Sequence, residues 1–178
     1  MGAAEDHEPS ASARAGGKYL WVISVALGIV LLDQVTKLWV AASMQLHQSI
    51  PVIEGFFDLT YVRNTGAAFS MFAGHSAAFR VPFFIIVSTI ALVVILSFVR
   101  STPASHKAAL LGCAFVLGGA VGNLIDRVAY GEVIDFLDVY WRGWHWPAFN
   151  VADTFITSGV ILLLIRGVFT AEDPPAEK

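Results

Sequence analysis

The chain is poor in charge and almost free of cysteine. Of its 178 residues, 14% are Asp, Glu, Lys or Arg, whereas a soluble globular chain carries about 25%. The single cysteine, Cys113, excludes an intrachain disulfide, a thiol pair and a cysteine-based zinc site. His7, His47, His75, His106 and His145 include no pair at a metal-ligand spacing such as i, i+4. No basic run is present and the net charge is −3, which argues against nucleic acid as a partner. The Gly-x-Ser-x-Gly elbow of serine hydrolases is absent, as are a Gly-rich phosphate loop ending in Lys-Ser/Thr and the Gly-x-Gly-Asp signature of one class of intramembrane protease. Gly2 follows Met1, but Asp6 breaks the myristoylation pattern.

What remains is apolar. Hydrophobic residues make up 56% of the chain and the mean hydropathy is +0.67, values of an integral membrane protein. A spanning helix needs about 20 mainly apolar residues. Four stretches meet that length, near 19–40, 81–99, 108–126 and 149–169. Their apolar runs are continuous rather than alternating, so helices and not a barrel are expected. Residues 1–18 and 170–178 read as tails. The first span has no convincing cleavage site before Asp33 and reads as uncleaved.

Arg14 and Lys18 precede span one, and Arg100 and Lys107 bracket a short loop without acids. The later loop carries Glu132, Asp135 and Asp138. The positive-inside bias places both termini and the short loop in the cytoplasm. Loops 41–80 and 127–148 then lie outside, with Trp39, Trp141, Trp144 and Trp146 at the outer interface and Trp21 at the inner one. Phe56 to Val62 and Val133 to Tyr140 read as strands of a small extracytoplasmic sheet, with turn signals at Gly55 and Asn64-Thr65-Gly66. The expected fold is thus an all-α polytopic membrane protein of four spans with a small sheet on its outer face.

Ionisable residues inside spans default to a functional reading. Asp33 lies ~21 Å along span one from Tyr19, at 1.5 Å per residue. Asp126 ends span three and Asp153 lies about one turn into span four. All three acids therefore occupy one depth, whichever way the protein is oriented. Asn123-Leu124-Ile125-Asp126 and Asn150-Val151-Ala152-Asp153 share the spacing Asn-x-x-Asp, which sets an amide and an acid on one helix face. Two such carboxylates on facing helices can share a proton, one activating water and the other acting as acid.

Structural roles stand beside each of these readings. Asp126 beside Arg127 suits an interfacial ion pair, and Asp153 near a helix start suits capping of free backbone N–H groups. Asp33 and Lys37, one turn apart, read as an internal ion pair. Arg63 and Asn64, beside Gly66-Ala67-Ala68, fit either an ordinary turn or close backbone approach to a substrate. Gly118, Gly119 and Gly122 form a small-residue packing stripe, with Cys113 as a small apolar neighbour.

Five blocks carry a resemblance: Leu32-Asp33-Gln34-Val35-Thr36-Lys37; Arg63-Asn64-Thr65-Gly66-Ala67-Ala68-Phe69-Ser70; Gly122-Asn123-Leu124-Ile125-Asp126-Arg127; Val133-Ile134-Asp135-Phe136; and Pro147-Ala148-Phe149-Asn150-Val151-Ala152-Asp153-Thr154. In order and content they resemble the bacterial lipoprotein signal peptidases, the signal peptidase II family, over about 20–169. Thr154 stands where many members have Ser, which keeps a hydroxyl. The resemblance implies a cofactor-free, metal-independent aspartyl endopeptidase of the inner membrane. It would cleave prolipoproteins just before a diacylglyceryl-modified cysteine and would be blocked by globomycin. By that similarity Asp126 and Asp153 look like the catalytic pair. Asp33, Lys37, Asn64, Asn123, Arg127 and Asn150 look like supporting or substrate-binding residues. A single-chain site makes a monomer sufficient.

Two other classes compete. A proton- or cation-coupled transporter would use the acids as a relay, yet needs them at several depths. A non-catalytic anchoring protein would use Asp33–Lys37 and Asp126–Arg127 as structural pairs and leaves the repeated Asn-x-x-Asp unexplained.

Overall fold

A computed structural model describes residues 11–66 and 76–170. The outer parts of both expected tails, and the segment from Ala67 to Ser70, lie outside the described residues. The elements follow the order α1 (Ala11–Ser43), β1 (Ser49–Ile53), β2 (Phe57–Asn64), α2 (Ala77–Ser101), α3 (Lys107–Tyr130), β3 (Val133–Trp141), β4 (Trp144–His145) and α4 (Val151–Thr170). The molecule is a mostly helical, membrane-type fold carrying a small antiparallel sheet. Among the described residues, three stretches are long and apolar enough to cross a membrane: Gly16–Ser43, Ala77–Ser101 and Lys107–Tyr130.

Helix α1 starts at Ala11 rather than at Tyr19, since Ala11, Ala13, Arg14 and Ala15 all favour helix. Lys18 Nζ donates to the carbonyls of Val99, Arg100 and Thr102 at 3.0, 3.3 and 3.0 Å, tying α1 to the C-terminal end of α2. Val22, Ile29, Asp33, Lys37, Val40 and Met44 are buried. Their spacing of three, four and seven makes one helical stripe, so Asp33 and Lys37 face inward with the apolar residues. Leu27, Leu31, Val35 and Leu38 face outward. On α2, Ile86, Val87, Ile90, Val93 and Val94 are exposed, the surface of a helix that meets lipid rather than water.

Helix α3 is the centre of the bundle and packs against α1, α2 and α4. Small residues let these helices approach. At Gly118 a β-carbon would stand 2.7 Å from Ile29 Cβ and 2.8 Å from the Ala26 carbonyl oxygen, so the α1–α3 crossing requires glycine. Cys113 is buried with Val22, Val99, Leu110 and Leu117.

The sheet order is β1-β2-β3-β4, each pair antiparallel. Strand β1 holds the edge, which suits Pro51, because an edge position tolerates a residue without an N–H. A bulge between Leu59 and Val62 interrupts the β2–β3 ladder. Arg142 and Gly143 both take positive φ, 51° and 81°, the backbone of a tight two-residue hairpin turn. Val40, Met44, Tyr61, Ile134 and Phe136 form a second apolar core that fastens β2 and β3 to the C-terminal end of α1. Phe149 pairs with Leu137. That pairing lays the start of α4 beside β3 and delivers Asn150 to the carboxylate of Asp135.

Candidate active site

The inward stripe of α1 carries the first half of the site. Lys37 is 1% exposed. Its Nζ meets Asp33 Oδ2 at 2.8 Å, Asp126 Oδ2 at 3.0 Å and Asn123 Oδ1 at 2.9 Å. Three donors thus meet three acceptors, so every N–H of this buried group is satisfied. Asp33 accepts from the Ala152 backbone N–H at 2.9 Å, so α1 also satisfies the open N-terminus of α4. A β-carbon on Gly122 would lie 2.5 Å from Asp33 Oδ2, so glycine makes room for this carboxylate. Asp126 accepts from Ile134 N–H at 3.1 Å and from Gln34 Nε2 at 3.0 Å. Its ion pair is with Lys37, not with the adjacent Arg127, because neighbours in sequence point to different sides of a helix.

The second half forms where α4 begins. Asn150 Oδ1 accepts the Asp153 N–H at 2.9 Å, and Asp153 Oδ2 accepts the Asn150 N–H at 3.3 Å. This reciprocal arrangement is a capping box. The Asn-x-x-Asp of α4 is therefore a helix start, whereas that of α3 lies within a helix. The asparagines do not serve the acids of their own motifs through their amides. Asn123 Nδ2 donates to Asp153 Oδ1 at 2.7 Å, and Asn150 Nδ2 donates to Asp135 Oδ1 at 2.7 Å. Asn64 Nδ2 completes Asp135, donating to Oδ2 at 2.9 Å, while its own oxygen takes the Gly66 N–H at 2.9 Å.

Asp135 and Asp153 both line one cavity of about 520 Å³ between the ends of α3 and α4 and the sheet. Asn64, Asn123 and Arg127 line it too, and its far wall is Ile156, Thr157 and Ser158 of α4. Neither acid forms an ion pair among the described residues. Burial pushes the Asp135 carboxyl up to about 7, and the charge of Asp153 pushes the same way. The amides of Asn64 and Asn150, and the charge of Lys37, draw it partly back. The Arg127 guanidinium stacks 4.9 Å over the Phe84 ring and has no hydrogen-bond partner among the described residues. Among the described residues no three His, Cys, Asp or Glu side chains are grouped to hold a metal ion.

Of the site residues expected from sequence, Asp33, Lys37, Asn64, Asn123, Asp126, Asn150 and Asp153 enter this one network, and Arg127 joins them only in the cavity wall. The pairing within it differs from the one expected. Asp126 is absent from the cavity wall and its oxygens turn to Lys37, Gln34 and Ile134. The carboxylate that shares the cavity with Asp153 is Asp135. From sequence, Asp135 falls on a strand and within a matching block but receives no role, although Val133-Ile134-Asp135-Phe136 sets a lone acid among strand-forming apolar residues. Gln34, whose amide spans Asp33, Asp126 and the Gly122 carbonyl at 3.1, 3.0 and 3.2 Å, was likewise passed over.

Residues 25–169 match the family model described as signal peptidase (SPase) II. A lipoprotein signal peptidase of Geobacter sulfurreducens is 54% identical over 142 residues, covering 80% of this chain and 88% of that relative. One of Desulforapulum autotrophicum is 49% identical over 141 residues, covering 79% and 87%. A bacterial membrane enzyme solved by the in meso method matches with a TM-score of 0.77 at 34% identity, covering 88% of this chain and 93% of that one.

Proposed function

The chain belongs to the signal peptidase II family, and on that premise we propose that Asp135 and Asp153 are its reacting pair. As a lipoprotein signal peptidase it is a protease that removes signal peptides from prolipoproteins. The observation that supports this pair is that these two carboxylates alone among the acids of the network line the cavity, each held by amides rather than by a cation. The Asp135 carboxyl, raised by burial to about 7, can carry a proton near neutral pH, so the pair can work with one member protonated and one ionised. The ionised member takes a proton from water, which attacks the scissile carbonyl carbon. The protonated member donates to the carbonyl oxygen and the proton then passes to the leaving amine. Arg127, which lines the cavity, holds the substrate carbonyl. Asn64, Asn123 and Asn150 orient the carboxylates. Asp33, Lys37 and Asp126 brace the helices that carry them, so Asp126, expected from sequence to react, is a positioning residue in this reading.

In the membrane, α4 is the fourth span: its 20 residues reach about 30 Å. Both termini lie in the cytoplasm, and the sheet rests at the outer face of the inner membrane. Tryptophans 141, 144 and 146, all exposed, mark that interface. The scissile bond precedes a diacylglyceryl-modified cysteine whose lipid chains stay in the bilayer. A globomycin-type cyclic peptide would occupy the same cavity, and one monomer is enough. The test is a gel-shift assay with purified protein and a diacylglyceryl-modified prolipoprotein. Cleavage by wild type and by Asp126→Asn, lost in Asp135→Asn and Asp153→Asn, supports the pair. Turnover near wild type by folded Asp135→Asn would remove it.

A further inference from the structure

A second cavity, of about 560 Å³, shares Asn64, Asp135, Trp146, Pro147 and Ala148 with the first. Beyond that shared wall the two diverge. The first runs toward Ile156, Thr157 and Ser158 on α4. The second runs over the sheet, along Thr60, Arg63 and Thr65 on one side and Asp138 and His145 on the other. Asp135 stands at the junction. An endopeptidase holds chain on both sides of the bond it cuts, and the two sides of this substrate differ in chemistry. The signal side is an apolar segment from the membrane, and the mature side is polar chain bound for water.

We propose that the second cavity binds the mature side of the substrate, the first few residues after the lipidated cysteine, as an extended strand leaving over the sheet. This rests on the reading of Asp135 as a reacting residue. The groove supplies what an extended polar backbone needs. Arg63 is held in place by its Nε bond to the Tyr61 hydroxyl at 2.9 Å and by the Tyr61 and Tyr130 rings, with centroids 5.6 and 5.1 Å away. That leaves its terminal nitrogens for backbone carbonyls. Opposite, Asp138 holds His145 Nδ1 at 2.9 and 3.0 Å, and His145 lines the groove as a second polar contact. The bulge between Leu59 and Val62 bends β2 at this wall. Carbonyl-directed contacts read the backbone and select little by side chain.

The experiment uses full-length Asp153→Asn protein, which holds uncleaved precursor, and two lipidated prolipoproteins. One carries a benzophenone side chain at the third residue after the cysteine, the other at the third residue before it. After irradiation, adducts are mapped by mass spectrometry. The mature-side probe is expected to label 60–65, 138 or 145, and the signal-side probe the α4 wall near Ile156. A mature-side adduct on α3 or α4, or none while the signal-side probe labels normally, would overturn this inference alone. Absence of both adducts would overturn it together with the reading of the first cavity. Loss of cleavage is scored separately and bears only on the reacting pair.

Discussion

Two sets of acids lie in one hydrogen-bonded network and are held in opposite ways. Asp33 and Asp126 close on the Lys37 ammonium at 2.8 and 3.0 Å. Asp135 and Asp153 receive amide donors from Asn64, Asn150 and Asn123 and form no ion pair among the described residues. An ion pair stabilises the charged form of a carboxylate and fixes its geometry, so the first set is suited to hold helices together. The amide donors orient these carboxylates, and burial keeps the Asp135 carboxyl at about 7 against their pull, so the second set is suited to exchange a proton. Residue type does not separate the two sets. Their partners do.

The comparison breaks most directly by removing charge from each set. Asp135→Asn and Asp153→Asn are each expected to lower kcat by about 10²–10⁴-fold, with the protein still folded in detergent by circular dichroism. Lys37→Met leaves two buried carboxylates without their cation and is expected to cost about 3–5 kcal/mol of stability, read as a fall in the thermal midpoint. Asp126→Asn should lose stability in the same assay and far less activity than either cavity acid. The reverse order, activity gone and stability intact, would return Asp126 to the reacting pair.

The pH dependence sharpens the same contrast. The Asp135 carboxyl, raised to about 7, loses its proton as pH climbs through that value, and the pair can no longer act as acid. Activity should therefore fall on the alkaline side near 7, in a bell-shaped kcat/KM profile. The amide of Asn64 draws the Asp135 value down, so Asn64→Ala should move the alkaline limb upward. A limb that stays in place would detach it from Asp135. The sign for stability follows. The native state holds a proton on Asp135 that the unfolded chain releases near 4, so this group's contribution declines as pH rises from about 4 to 7. The smallest expected effect is Gly118→Ala, which overpacks the α1–α3 crossing by a methyl group and should cost about 1–3 kcal/mol without altering the pH profile.

Much of this was legible beforehand. The apolar runs predict the helices because a long uncharged stretch has one economical backbone arrangement in lipid. The strands in both loops were visible from β-branched and aromatic residues. Strand β1 was not, because Pro51 argues against a strand until a partner shows that the edge leaves its missing N–H unused. The site was legible as a set of residues and not as a wiring scheme. Matching Asn-x-x-Asp spacings suggested matching roles, but one motif opens a helix and the other lies inside one. Their amides cross to acids outside their own motifs.

The sequence by itself determined that this is a membrane protein and which family's motifs it carries. These are properties of composition, length and local order, and they hold before any two segments meet. Only the tertiary structure decided which carboxylate faces which. That choice rests on the pairing of Phe149 with Leu137, which brings Asn150 to Asp135, and on the inward stripe of α1, which brings Lys37 to Asp126. Proton affinity and ion pairing depend on distances of about 3 Å between groups far apart in chain, and no spacing along the chain encodes those.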